Sequence, residues 1–210
     1  MARNQSLLIG AAVGILALVA GMLLASRLMN FKDGARPAVV KATVLTPPRP
    51  LPEIALIDQA GAEFDGSRLA GRWSLLFFGF TRCPDVCPQT LGVLAQVDKS
   101  LADLPAGARP QVILVSVDPQ RDTPEQLASY VKFFAPSFTG VTGTQHAIDS
   151  FTRAMGVPVA IRPTENGDYT VDHSAAIFLL DPQGAMRALF STPHDPKIIA
   201  GDYRRIVAAG

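Results

Sequence analysis

Cysteine is scarce in this sequence: the 210 residues contain two, Cys83 and Cys87. Two sulfurs cannot form the several cross-links that hold together a small disulfide-rich secreted protein. They also cannot supply the four thiolates of a structural zinc site or an iron–sulfur cluster. Any chemistry of the cysteines is therefore the chemistry of one close pair.

An excess of charge is also lacking, because 19 basic residues are balanced by 18 acidic ones. A protein that binds a nucleic-acid backbone neutralises its phosphates with surplus Lys and Arg, so we predict no nucleic-acid partner. The 48% content of hydrophobic residues is typical of a chain that folds and not of a disordered one.

Charged side chains are absent from residues 7–25, an apolar run close to the ~20 residues that cross a bilayer as a helix. Leu lies three residues before each candidate cleavage point, where a signal peptide carries a small residue. We therefore predict an uncleaved membrane anchor over residues 1–29, with a cleaved signal peptide as the alternative. Basic residues are more numerous after the run than before it, and the positive-inside rule alone would place the long C-terminal part in the cytoplasm.

The segment after the predicted anchor, residues 30–52, contains five prolines and few large apolar residues. This composition favours an extended, semi-rigid linker over packed structure. The remaining residues, 53–210, have the size of one ordinary domain.

Within that domain, strand and helix patterns alternate. Dense apolar runs at residues 73–80, 111–117 and 175–180 predict strands that are buried on both faces. Apolar residues recur with helical spacing after Pro88, after a Thr123–Pro124 cap, from about 144 to 155 before Gly156, and over 198–207. The order predicts an α/β sandwich.

A hairpin is predicted before the third run. Asn166-Gly167 is a type I′ turn signal, and alternating residues flank it at 159–161 and 169–171. The hairpin would be a ribbon inserted just before Asp172 and His173.

The cysteines lie in Thr81-Arg-Cys-Pro-Asp-Val-Cys-Pro88, directly after the first predicted strand and before the first predicted helix. The positive end of a helix lowers the pKa of a nearby thiol and favours the thiolate. Because Pro88 has no N–H, we predict a turn over residues 83–87 with Pro88 near the first helical position. The spacing of Cys83 and Cys87 allows the two sulfurs to converge on one ion, and it also permits a disulfide.

Two thiolates alone would hold a metal weakly, so a third ligand is needed. Of the three histidines, His173 lies immediately before the third predicted strand, and the direction of that strand decides whether it reaches the cysteines. Two thiolates and one imidazole form a soft site suited to Cu(I), and to Cu(II) with an added ligand. Zinc with a fourth ligand is the competing metal.

The remaining polar residues are assigned simpler roles. Asp172 is predicted to orient His173, and Asp85 to shape the loop or offer a docking charge. The others are interpreted as surface, turn or capping residues: His146, His194, Asp118, Asp122 and Glu125.

Three segments, residues 77–88, 116–125 and 172–181, together resemble the Sco/SenC family of cytochrome c oxidase assembly proteins. The resemblance covers essentially the whole predicted domain. It implies a thioredoxin-like fold, in which the loop that carries His173 packs against the cysteine turn, and it implies that Cys83, Cys87 and His173 bind copper.

The same resemblance implies a function. The protein would be a copper chaperone that helps to metallate the dinuclear copper centre of cytochrome c oxidase subunit II, with a copper donor and a thiol reductant as further partners. The family also implies an extracytoplasmic domain, which favours a single-pass protein of the bacterial inner membrane with its soluble domain in the periplasm. The rival hypothesis is a thiol–disulfide oxidoreductase or thiol peroxidase that uses Cys83 and Cys87.

Overall fold

The computed structural model describes residues 14–15, 17–22, 38–165 and 167–209. Residues 14, 15 and 17–22 are helical. Among the described residues, no helix has both the length and the apolar character needed to span a bilayer. Most of the predicted anchor, residues 1–29, lies outside the described residues, so the anchor stays a prediction.

Residues 38–208 form a compact unit around an eight-stranded mixed sheet and a separate two-stranded sheet. The strand order of the large sheet is β1-β10-β9-β4-β5-β6-β2-β3, and β7 pairs with β8. The strands and helices are β1 Thr43–Pro50, β2 Leu56–Asp58, β3 Glu63–Phe64, β4 Ser74–Gly79, α1 Val86–Ser100, β5 Gln111–Ser116, α2 Pro124–Phe134, β6 Thr139–Thr142, α3 Gln145–Met155, β7 Val159–Pro163, β8 Tyr169–His173, β9 Ile177–Leu180, β10 Ala185–Phe190 and α4 Pro196–Ala209.

The three apolar runs form the centre of the sheet, as predicted. All residues of β4 and β9 are buried, and β5 is buried after Gln111. β4 runs parallel to β5 and antiparallel to β9, with Phe77 opposite Ile177. The end of β4, the end of β5 and the start of β9 therefore lie at one edge of the sheet.

The helix boundaries follow the capping signals with one correction. Thr123 caps α2 in a reciprocal pair of hydrogen bonds with Gln126, and Gly156 ends α3 with a φ of 73°. Helix α1 begins at Val86, two residues earlier than predicted, so Pro88 is its third residue. Proline fits there because the first N–H groups of a helix have no partner within the helix.

The predicted linker differs from the structure. Thr43–Pro50 is extended, but it pairs with β10 as an edge strand of the large sheet. Just before it, the carboxylate of Asp202 accepts hydrogen bonds from the N–H groups of Val40, Lys41 and Ala42 at 2.7 to 2.9 Å. The folded unit therefore begins before residue 53.

The predicted hairpin is present as β7 and β8, which pair from Val159 and His173 to Pro163 and Tyr169. Gly167 has a φ of 77°, whereas Asn166 lies outside the described residues, so the predicted turn type stays a prediction. His173 is the last residue of β8 and not, as predicted, part of a loop.

Candidate metal centre

The cysteine turn connects the end of β4 with the start of α1. Cys83 is partly buried and Cys87, in the first turn of α1, is fully buried. The N–H of Cys87 donates a hydrogen bond to Sγ of Cys83 at 3.3 Å. A Cβ on Gly79 would lie 3.1 Å from Sγ of Cys87, so the thiol occupies space that only a glycine at this position leaves open.

His173 approaches the same turn from β8. Its Nδ1 lies 3.0 Å from the carbonyl oxygen of Ser174. Because a carbonyl only accepts, this hydrogen bond places the proton on Nδ1 and leaves a lone pair on Nε2. The rings of Phe77 and Phe80 contact the imidazole edge-on, with centroids 5.9 and 5.8 Å away, and fix its orientation.

The three predicted ligands come together at the edge where β4 ends and β9 begins. Nε2 of His173 lies 3.3 Å from Sγ of Cys87, and the ligand atoms of Cys83, Cys87 and His173 all lie within 4.8 Å of one another. Atoms bound at about 2.0–2.3 Å to one metal lie up to ~4.6 Å apart, so small side-chain movements bring all three onto one ion. This is the one such cluster in the described part of the chain.

The pKa values of the two thiols are shifted in opposite directions. The S–H of Cys87 donates to Cys83, and this hydrogen bond lowers the pKa of Cys83 to about 4 although burial opposes it. The same hydrogen bond, together with burial, raises the pKa of Cys87. At neutral pH the pair therefore holds one thiolate, on Cys83, and one proton, on Cys87.

A shallow cavity of about 240 Å³ gives access to the cluster. Its wall is formed on one side by the cysteine turn and on the other by β8, with Cys83 and His173 both lining it. An incoming ion or a partner's side chain therefore meets Cys83 and His173 first, while Cys87 lies beneath them.

Two carboxylates after β5 contact the segments that carry the ligands, a role that the sequence interpretation missed. Asp122 is fully buried and accepts hydrogen bonds from the N–H and hydroxyl of Thr81 and from the hydroxyl of Ser116. Burial raises the pKa of Asp122, and these donors partly offset that effect. Asp118 accepts from Arg121 and Tyr169. The predicted turn is present, since the carbonyl of Asp118 accepts from the N–H of Asp122 at 2.9 Å. The predicted capping role belongs to Thr123 alone, and the contacts of the two carboxylates with Thr81 and Tyr169 are what the sequence does not indicate.

The other candidate residues lie outside the cluster. Asp172 does not orient His173 as predicted: the carbonyl of Ser174 accepts from the imidazole, and Asp172 pairs with the exposed Arg162 at 2.9 Å. His146 is exposed on α3. His194 donates from Nε2 to the carbonyl of Ala175 at 2.8 Å and so holds the segment that follows His173.

A family model described as SCO1/SenC matches residues 48–208. The chain belongs to this family. The bovine SCO2 homolog, a mitochondrial protein, is 38% identical over 158 residues, which make up 75% of this chain and 59% of the bovine protein. The chain therefore covers about three-fifths of that relative's length.

Solved structures of the SCO1/SenC family share the fold. The copper-bound structure of Arabidopsis thaliana ScoI is 34% identical, with a TM-score of 0.70 over 74% of this chain and 96% of that one. The copper-bound structure of Bradyrhizobium japonicum ScoI is also 34% identical, with a TM-score of 0.68 over 75% and 99%. These matches confirm the predicted family and the mixed α/β, thioredoxin-like fold.

Proposed function

We propose that this SCO1/SenC protein is a membrane-anchored copper chaperone that binds copper through Cys83, Cys87 and His173. Its role is to assist metallation of the dinuclear copper centre of cytochrome c oxidase subunit II. The observation that carries the proposal is the convergence of two sulfur atoms and one imidazole nitrogen within 4.8 Å. The chemistry of this donor set fits copper, since thiolate and imidazole are soft ligands that favour Cu(I).

The acidities of the cysteines suggest the order in which copper is bound. Cys83 is a thiolate at neutral pH and lines the cavity, so it is the first sulfur available to an incoming ion. Cys87 keeps its proton until the ion arrives, and binding then releases that proton. The lone pair on Nε2 of His173 completes a set of three ligands.

Three ligands also suit the release of the ion. A site with three donors and an open side can accept a ligand from a partner before its own ligands leave. The cavity over Cys83 and His173 supplies such a side. Oxidation of Cys83 and Cys87 to a disulfide would remove both thiolates, so a thiol reductant is required as a partner, together with a copper donor.

The proposed location is the bacterial inner membrane, with the soluble domain facing the periplasm. The apolar run at residues 7–25 supports a membrane anchor. Expression of the full chain, followed by membrane fractionation and protease treatment of spheroplasts, tests both the anchor and the orientation of the domain. Recovery of the intact chain in the soluble fraction would contradict the anchor, and protection of the domain from protease would contradict its orientation.

The ligand set is tested by anaerobic titration of the reduced protein with Cu(I) against a competing chelator. We expect one ion per chain, and we expect His173→Ala to weaken binding by at least tenfold. His146→Ala is the matched control, since His146 is exposed on α3 and should leave the affinity unchanged. Equal affinities for wild type and His173→Ala would remove His173 from the ligand set, and a zinc ion that copper cannot displace would favour zinc.

A second candidate function is thiol–disulfide exchange, and the state of Cys83 favours it. A thiolate that lines a cavity can attack a partner's disulfide, and Cys87 lies close enough to resolve the mixed disulfide. This reaction needs both cysteines but not a histidine ligand. Reduction of a subunit II disulfide at an unchanged rate by His173→Ala, and its loss in Cys87→Ala, would favour the exchange reaction.

A further inference from the structure

The hairpin of β7 and β8 carries His173, yet its strands pair with each other and with no strand of the large sheet. An isolated two-stranded hairpin is only marginally stable in water. The position of His173 relative to the cysteines therefore depends on the three residues that join it to β9 and on side-chain contacts between the hairpin and the rest of the domain.

Three side chains provide such a contact, and we call them the clamp: Asp118 and Arg121 from the turn after β5, and Tyr169 from the start of β8. The Arg121 guanidinium lies over the Tyr169 ring, with 3.6 Å between its central carbon and the ring centroid. The Tyr169 hydroxyl donates to Asp118 at 2.7 Å, and Arg121 pairs with the same carboxylate.

The clamp also binds the backbone of the hairpin. Nη1 of Arg121 donates to the carbonyl oxygen of Tyr169 and to the carboxylate of Asp168, each at 2.9 Å. The side chains of Asp118 and Arg121 are only 3% and 11% exposed, so water screens these charges little. Removal of one partner of such a buried pair costs more than removal of one partner of an exposed pair, because the other charge is left buried without its partner.

The same turn holds the cysteine side of the site. Asp122, next to Arg121, fixes Thr81 at the entrance to the cysteine turn. The turn of residues 118–122 therefore contacts both segments that carry the ligands. A shift of the hairpin relative to this turn is a shift of His173 relative to Cys83 and Cys87.

We propose that Arg121 is a positioning residue for copper: through the clamp it fixes the hairpin so that Nε2 of His173 stays within reach of the cysteine sulfurs. The inference rests on the proposed copper-binding function and deepens it, since it assigns the clamp a part in the affinity for copper beyond its part in folding. Arg121 itself does not contact the metal.

The test compares Cu(I) affinities of the full chain in two backgrounds. Arg121→Gln removes the positive charge and the guanidinium N–H donors. We expect it to lower the affinity by about 10- to 100-fold, the range typical of residues that orient metal ligands. In the His173→Ala background the same substitution should change the affinity less than twofold, because there is no histidine left to position. Arg162→Gln, which removes the exposed pair with Asp172 on the same hairpin, is the matched control and should have no effect.

A milder variant keeps the test decisive if Arg121→Gln fails to fold. Tyr169→Phe removes only the hydroxyl that donates to Asp118, and we expect it to lower affinity severalfold while thermal unfolding stays cooperative. Unchanged affinity in either folded variant would overturn the positioning role, as would an equal loss in the wild-type and His173→Ala backgrounds. Failure of the wild-type protein to bind copper would instead contradict the proposed function itself.

Discussion

The backbone N–H of Cys87 and the sulfur of Cys83 are joined by a hydrogen bond of 3.3 Å, and the two thiols of this pair differ in charge. The difference arises from their positions. Cys83 lies on the turn and receives hydrogen bonds, whereas Cys87 lies beneath it, fully buried and next to Gly79. One thiol is therefore ready to react and the other is protected.

Alkylation by iodoacetamide should report this difference. The thiolate of Cys83 exists above its pKa of about 4, so its rate of alkylation should rise through that pH and stay constant from about pH 6 upward. Cys87→Ala removes the S–H donor, so the pH at which the alkylation rate of Cys83 is half-maximal should move upward. A wild-type half-point near about 8.5, the value of a free thiol, would contradict the assignment.

Copper binding should release about one proton per ion at pH 8, measured with a pH indicator in weak buffer. That proton comes from Cys87, whose pKa is raised, whereas Cys83 is already deprotonated. The Cu(I) affinity should accordingly increase about tenfold per pH unit between about pH 7.5 and 9. Release of two protons would show that both cysteines start as thiols.

Gly79→Ala should weaken copper binding, because its Cβ would lie 3.1 Å from Sγ of Cys87 and 2.9 Å from the Phe77 ring. We expect a loss of about 1–3 kcal/mol in the free energy of unfolding, which is typical of overpacking, and a lower affinity measured by chelator competition. Gly92→Ala is the control. It lies in α1, and apart from its chain neighbours and the backbone of its own helix nothing lies within 4 Å of an added Cβ, so it should leave affinity unchanged and raise stability by up to about 1 kcal/mol.

Asp202→Asn should destabilise the domain at neutral pH by about 1–3 kcal/mol, because one amide cannot accept the three N–H groups that the carboxylate accepts. Burial tends to raise the pKa of Asp202, but the N–H groups and Arg205 outweigh it and the pKa is lowered. The stabilisation is therefore present above about pH 4, the ordinary value, and is lost as pH falls through the lowered pKa.

Urea unfolding of wild type and Asp202→Asn at several pH values checks this prediction. The difference between the two proteins should begin to shrink below about pH 4, where Asp202 takes up a proton in the unfolded chain but stays charged in the folded one. It should be lost once the pH falls below the lowered pKa and Asp202 is uncharged in the folded protein as well. Asp103→Asn is the control, because the pair of Asp103 with Arg204 is exposed to solvent, so its loss should change the stability little at any pH. A pH-independent difference would contradict a charged Asp202.

The centre of the fold and the pair of cysteines could be predicted because their signals are local. A strand buried on both faces is apolar throughout, as in β4, and the order of β4, the cysteine turn and α1 follows directly from the sequence. The position of His173 could not be derived in this way. It depends on β9 running antiparallel to β4, which no local pattern specifies.

The edge of the sheet and the clamp could not be predicted because their partners are distant in sequence. Thr43–Pro50 carries three prolines, which an edge strand tolerates on its unpaired side, and the acid that fixes the preceding residues lies 160 positions from Ala42. Asp118 and Tyr169 are 51 residues apart. Each residue alone has the character of a linker, turn or strand residue, and only the tertiary structure joins them.

The attachment of residues 40–42 to Asp202 has a mechanical consequence. A pull on the chain from its N-terminal side loads the hydrogen bonds to α4 first and then the pairing of β1 with β10. Two further strands, β10 and β9, separate β1 from β4, which leads into the cysteine turn. Tension on the N-terminal segment is thus absorbed at one edge of the sheet, and the spacing between sulfur and imidazole is insulated from it.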